Sequence, residues 1–248
     1  MRLSVVNHTP IPDGEVQKVI RALNRQIAED FEPAWSMGAE LRLEGRGARV
    51  KPEDPAELRG DAVIYLWEDE APAAVLGYHD KNGQGLPFGI VFTAAVASLG
   101  RPWSHTLSHE ALELLADPES NLLVRGPHPD PAQQGRDVFF WYEMCDAVQD
   151  EFYELDGVVV SNFVLPLYFT SGEERRGRND FLGLRHGRTR LRSFGVNPGG
   201  YVGFWDPKTR KDRTWMAADD TRAAQLAEAK GQWGRARRTA RRGAGNRA

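Results

Sequence analysis

Cysteine is nearly absent from this chain: Cys145 is the only one in 248 residues, so no intramolecular disulfide can form and stability has to come from packing. Long apolar runs are missing too. None reaches the ~18 residues of a transmembrane helix; the nearest, residues 157–169, is interrupted by Ser161, Asn162 and Pro166. The first residues turn polar at Asn7 and lack the apolar region of a secretory signal, so a soluble, cytoplasmic protein without membrane contact is expected. No Gly-rich stretch joins a strand to a helix with a following Lys-Ser or Lys-Thr, which excludes a P-loop. No Ser-His-Asp arrangement can be argued from the chain. No period of 20–50 residues repeats, which excludes a solenoid.

What is present suits a folded domain. Hydrophobic residues make up 41% and charged residues 27%, enough apolar material for a sizeable core and too much for a mainly disordered chain. The length allows one large domain or two small ones. Charge is unevenly spread. Residues 221–248 hold eight Lys or Arg against one acid, Glu228, so residues 1–220 carry −10 of the net −3. A basic arm on an acidic body suits an acidic partner, nucleic acid or the body itself. The default for such a segment is a solvated, partly helical terminus; of the partners, an acidic one is expected and nucleic acid is not.

The first third alternates. Residues 3–7 form an apolar run ending before Pro10, a first strand. Asp13 then precedes Val16, Val19, Ile20, Leu23, Ile27 and Phe31, whose spacing predicts an amphipathic helix over 13–31 with Pro33 just past its end. Residues 39–43, 62–67, 74–79 and 88–92 have strand length, with an Asn82-Gly83 turn before the last. This order predicts an α+β fold, a mixed sheet with a helix on one face. Pro102 opens a second helix and Asp117-Pro118 closes it. Residues 121–136, with three Pro and two Gly, read as a long loop, and the Arg- and Gly-rich residues 172–190 as another. Residues 138–145 and 158–163 read as strands, and Asn197-Pro198-Gly199-Gly200 as a strong turn. The expected organisation is a domain over 1–217, with an upper lobe of about 1–118 and a lower lobe of about 119–217, followed by the tail 218–248.

The second helix carries the chemistry. It contains His105, His109, Glu110 and Glu113. At 100° per residue, with His109 at 0°, His105 falls at about −40°, Glu113 at about +40° and Glu110 at about 100°. Read plainly, these are the wet side of an amphipathic helix. Against that, Leu112 and Ala116 share the His109 side, so protein should cover it, and a covered charge must be paired or bind metal. His109 and Glu113 have the i, i+4 spacing of two ligands on one face. Glu110 points beside that metal, where it can take a proton from water, as in His-Glu-x-x-His with Glu113 in place of the second His. A carboxylate there lowers the preference for zinc over harder metals, so Zn²⁺ is expected with another divalent metal as the alternative. A third ligand should come from downstream, where Glu143, Cys145 and Asp146 offer three ligand types in four residues. Ordinary acids and a small buried cysteine are the plain reading of that stretch. His105 could add a ligand, but a cap on the helix start is expected, and His79 is expected in a turn. Tyr201 could donate a hydrogen bond to a developing oxyanion, against the plainer reading of a packed ring.

Taken in order, Ser108-His109-Glu110-x-x-Glu113, Asp117-Pro118, Glu143-x-Cys145-Asp146, Val160-Ser161-Asn162-Phe163-Val164-x-Pro166 and Pro198-Gly199-Gly200-Tyr201 resemble a group of poorly characterised bacterial zincin-like proteins over residues 3–207. The resemblance implies a metallopeptidase-type fold, with a mixed upper sheet whose edge strand, residues 88–92, borders a substrate cleft, and with the active-site helix between two lobes. It also implies His109, Glu113 and Glu143 as zinc ligands, Glu110 as general base and Asp146 orienting a ligand. The expected function is a metal-dependent hydrolase, a peptidase acting on a peptide or protein. The alternative is a non-catalytic protein that uses a zincin scaffold for binding or assembly. A di-iron carboxylate bundle needs paired Glu-x-x-His helices, and the β-rich remainder excludes it.

Overall fold

Apolar runs of strand length become strands, and the long amphipathic stretch after the first of them becomes a helix. The computed structural model describes residues 1–44, 60–68, 75–133, 135–172 and 177–216. In chain order the first elements are β1 (Arg2–His8), α1 (Asp13–Gln26), α2 (Glu32–Trp35), β2 (Glu40–Leu43), β3 (Ala62–Trp67), β4 (Gly77–Lys81) and β5 (Pro87–Phe92). There follow α3 (Thr93–Ser98), α4 (Trp103–Ala116), β6 (Leu123–Pro127), β7 (Asp137–Trp141), β8 (Phe152–Leu155), β9 (Val158–Ser161), β10 (Tyr201–Asp206) and β11 (Lys211–Met216). The fold is mixed α/β, with several sheets and few helices. Among the described residues no helix is long and apolar enough to cross a membrane. The expected basic tail lies outside the described residues.

The chain divides into two compact units, Met1–Ser120 with Phe152–Ser161, and Asn121–Glu151 with Asn162–Ala248. In the first, five strands form a sheet in the order β2-β1-β3-β5-β4. The first four run parallel and β4 pairs antiparallel to β5. Central β3 reads Ala-Val-Ile-Tyr-Leu-Trp and is buried on both faces until Trp67, as interior parallel strands are. The strand expected at the edge, residues 88–92, is therefore interior. The edge is β4, because the chain turns back at residues 82–86 and adds β4 on the far side of β5.

The first helix differs from its expected form. After α1 the chain widens into a π-helical turn, Ile27–Phe31, and continues as α2, so Pro33 lies inside a helix. It stands in the first turn of α2, where a missing N–H leaves no helical bond unmade. The helix stops at Ser36, whose φ of 54° is left-handed.

Helix α4 starts after Pro102 and ends before Asp117, as its sequence predicts. It is not amphipathic in use: every residue from Ser104 to Ala116 is buried. It packs against β4, β5 and β9. The β8–β9 hairpin belongs to this unit through polar ties. Ser104 Oγ donates to the Val159 carbonyl at 2.8 Å. Ser108 Oγ donates to Gln26 Oε1 at 2.7 Å and accepts the Ser161 N–H at 3.0 Å. Gln26 in turn donates to the Ser161 carbonyl at 2.8 Å. One serine on α4 thus links α1 to the hairpin.

The second unit is built on an antiparallel sheet in the order β11-β10-β7-β6. Residues 121–136 are not a loop throughout, since β6 lies in them and pairs with β7. Its Pro127 is tolerated because β6 is an edge strand and Pro127 is its last residue. Phe140, Phe194 and Phe204 stack across the core of this unit, with centroids 4.9 and 5.9 Å from Phe140. Residues 197–200 form the predicted turn. Gln149 Nε2 donates to the Gly199 carbonyl at 2.8 Å, and the Asn197 N–H to the Ala147 carbonyl at 3.0 Å. A Cβ on Gly199 (φ +80°) would run into Asp150, and one on Gly200 into the Ala147 carbonyl. The glycine pair therefore lets the turn lie flat on the 3₁₀ turn Asp146–Val148.

Candidate metal centre

Two neighbouring elements of the first unit supply the site. On α4, His109, Glu110 and Glu113 project from a helix buried all round, so the plain reading of a wet face fails. On β4, Gly77 and His79 share one face of the strand by the two-residue period. That face meets Glu110: a Cβ built on Gly77 would stand 2.8 Å from Glu110 Oε1 and 2.9 Å from its Cγ. The missing side chain at Gly77 is the room that the Glu110 carboxylate occupies.

The four side chains form a connected group. His79 Nδ1 lies 3.6 Å from Glu110 Oε2 and 3.6 Å from Glu113 Oε2. His109 Nε2 lies 3.2 Å from Glu113 Oε1. One ligand atom from each of His79, Glu110 and Glu113 falls within 4.8 Å of the others, and all three residues are buried. Glu113 is central, its two oxygens each facing a different imidazole. His79 and Glu113 are 0% exposed, which matters because buried carboxylates need a compensating positive charge. His79, Glu110 and Glu113 offer one imidazole and two carboxylates, which match one divalent cation in charge and form a mixed nitrogen and oxygen set of the type that takes zinc and its neighbours.

Spacing supports a shared ion. Ligand atoms ~2.1 Å from one zinc at the tetrahedral angle stand roughly 3.4 Å apart, whereas hydrogen-bonded N···O pairs usually stand about 2.7–3.2 Å apart. The two 3.6 Å separations from His79 have the length of a coordination edge, whereas the 3.2 Å between His109 Nε2 and Glu113 Oε1 is that of a hydrogen bond. Glu110 Oε2 is buried and accepts no hydrogen bond among the described residues.

The predicted site residues divide between the units. His109, Glu110 and Glu113 come together in the first. Glu110 lies as near to His79 as Glu113 does, at 3.6 Å. Glu143, Asp146 and Tyr201 are buried residues of the second unit. Glu143 follows β7, Asp146 begins the Asp146–Val148 turn, and Tyr201 begins β10 opposite Met216. Burial, and then the charge of Asp146, push the Tyr168 phenol above its ordinary range within that unit. Cys145 is fully buried.

Two histidines are corrected. His105 does not cap α4: the cap residue is Pro102 and no side chain caps the start. The His105 ring instead meets Phe152 edge-on at 6.0 Å. His79 is not in a turn but in β4, fully buried and opposite Gly89 of β5. The signal for it was the alternation Gly77-x-His79, which puts the smallest side chain and an imidazole on one face of a strand. Comparison with known proteins brings no match: no family model, no curated protein and no solved structure matches the chain.

Proposed function

We propose that this chain is a zincin-like, zinc-dependent hydrolase, a peptidase, whose metal is held by His79, His109 and Glu113 and whose general base is Glu110. The observation that carries the reading is Glu113, a fully buried carboxylate between two imidazoles at 3.6 and 3.2 Å. A divalent ion held there supplies an electrophile for a carbonyl oxygen and makes a neighbouring water more acidic. The chain's own residues do the rest. Glu113 offsets the charge of the ion and fixes both imidazoles. Glu110, with Oε2 unshared and directed at the same place, takes the proton of the attacking water. Gly77 leaves the space that carboxylate occupies.

A second reading has its own support. The grouping of His79, Glu110 and Glu113 within 4.8 Å, all buried, also suits Glu110 as a ligand in a closed, non-catalytic centre serving binding or assembly. Glu110→Gln separates the two. As a base, Glu110 is replaced with the metal retained and turnover of a peptide library cut by ~10²-fold or more. Loss of metal from that variant overturns the hydrolase reading in favour of the closed centre.

A further inference from the structure

In residues 178–192 of the second unit stand five arginines, Arg178, Arg185, Arg188, Arg190 and Arg192, and no lysine. One acid accompanies them, Asp180, and it is consumed internally. It is 0% exposed, and its Oδ2 accepts from Asn162 Nδ2 at 2.9 Å and from the Gly183 N–H at 2.7 Å. Arg178, Arg185, Arg188 and Arg192 are exposed. No side chain of Arg185, Arg188 or Arg192 makes a hydrogen bond or ion pair among the described residues. Like charges set close together repel one another, and among the described residues no ion pair relieves Arg185, Arg188 or Arg192.

The loop that carries the arginines has no regular structure, yet it is pinned. His186 Nε2 lies 2.7 Å from Glu151 Oε1, and Asn197 Nδ2 donates to the same oxygen at 2.7 Å. The Leu182 N–H donates to Asn162 Oδ1 at 3.2 Å, and Asn179 Nδ2 to the Leu191 carbonyl at 3.2 Å. His186 and Thr189 bridge each other through both backbone bonds, at 3.0 and 3.3 Å. Gly187 takes the left-handed φ of +64° that this two-residue tip requires. Arg188 therefore sits at the tip, with Arg185 and Arg190 on either side of the bridged pair. Gly183 has no Cβ, and the Arg178 side chain lies across it. These anchors hold the arginines in place before any partner arrives, so little ordering entropy is lost on binding.

We infer that this loop is a docking surface for the phosphate backbone of a nucleic acid. The inference is independent of the metal centre. Its basis is charge density and residue type. Arginine alone is used, and its planar fork suits phosphate. Several adjacent unpaired cations call for a partner with closely spaced anions; duplex DNA offers one charge per ~1.7 Å of axis, whereas an extended acidic peptide offers at most one per ~3.3 Å.

The test uses the full chain, a fluorescein-labelled DNA duplex of about 20 base pairs and a labelled polyglutamate of about 20 residues. Binding is read by anisotropy at salt from about 50 to 200 mM, for wild type and for the triple variant R185A/R188A/R192A. The three side chains make no hydrogen bond or ion pair among the described residues, so the variant should melt with wild type. The inference predicts that the oligonucleotide binds more tightly than polyglutamate. In the variant its affinity should fall about tenfold or more, and the slope of log K against log salt should flatten by about 2.7, three contacts at ~0.9 each. Equal oligonucleotide binding and slope in both proteins overturn it, as does preference for polyglutamate or binding of neither probe.

Discussion

Gly77→Ala adds one methyl group to the strand that faces the metal centre. The new Cβ would stand 2.8 and 2.9 Å from Glu110 Oε1 and Cγ, and 2.9 Å from the Ile90 carbonyl of the neighbouring strand. All three lie inside ordinary van der Waals distance. The carboxylate can swing aside, but the Ile90 carbonyl belongs to the backbone of β5 and can move only with its ladder. Overpacking of this kind costs about 1–3 kcal/mol. For a chain of this length that lowers Tm by about 3–10 °C. Gly83→Ala is the control, since nothing lies within 4 Å of a Cβ there. It should be neutral or stabilising by a few tenths of a kcal/mol, through loss of freedom in the unfolded chain. Because two of the three close contacts at Gly77 are with Glu110, the double variant G77A/E110A should cost less than the sum of the singles, by about 0.5 kcal/mol or more. Thermal melts of wild type, G77A, E110A, the double variant and the G83A control read both effects. A G77A protein that melts with wild type, or costs that add, would refute the claim that the Glu110 carboxylate fills the space beside β4.

Ser108→Ala removes the hydroxyl that joins α1, α4 and the β8–β9 hairpin, leaving Gln26 Oε1 and the Ser161 N–H in the interior without that partner. The expected cost is about 1–3 kcal/mol by urea titration, and a midpoint equal to wild type would contradict the linkage. The pH dependence follows from two histidines: burial holds His8 below its ordinary 6.5, and burial with nearby Arg136 does the same for His128. Below that value the unfolded chain takes up protons that the folded chain refuses, so stability is full above pH 6.5 and is lost as pH falls below it. Asp30, raised chiefly by burial, acts in the opposite sense but only in the carboxylate range. Tm should therefore drop between about pH 7 and pH 5.5, and the drop should shrink in His8→Phe, which keeps a ring against Tyr65; an unchanged drop in that variant would remove His8 from the account.

The parts of this structure that were readable in the sequence are those written in local chemistry. Helix α4 is bounded by Pro102 and by Asp117-Pro118, and the proline punctuation alone fixes both ends. Strand β3 is a bare apolar run with no competing period. His79 was missed for a reason of register. Its strand runs from Gly77 to Lys81, and a reading that ends at residue 79 turns a buried strand histidine into a turn residue. The burial of α4 on every side was hidden for another reason. Its own sequence shows a polar stripe, and only β4, added beyond β5, covers that stripe. Strand β6 was masked by Gly126 and Pro127, which an edge strand tolerates and a central one does not. The glycine pair at 199–200 read correctly as a turn, but the surface it lies on could not be named without the fold.

The central claim is that His79 and Glu113, from a strand and a helix separated by the whole of β5 and α3, hold one metal ion. Elemental analysis of protein purified in the presence of zinc tests it directly, with wild type beside His79→Ala and Glu113→Ala. The account predicts about one zinc per wild-type chain and loss of that metal from both variants, with far-ultraviolet circular dichroism showing each still folded. A His79→Ala protein that is folded and carries as much zinc as wild type would contradict it.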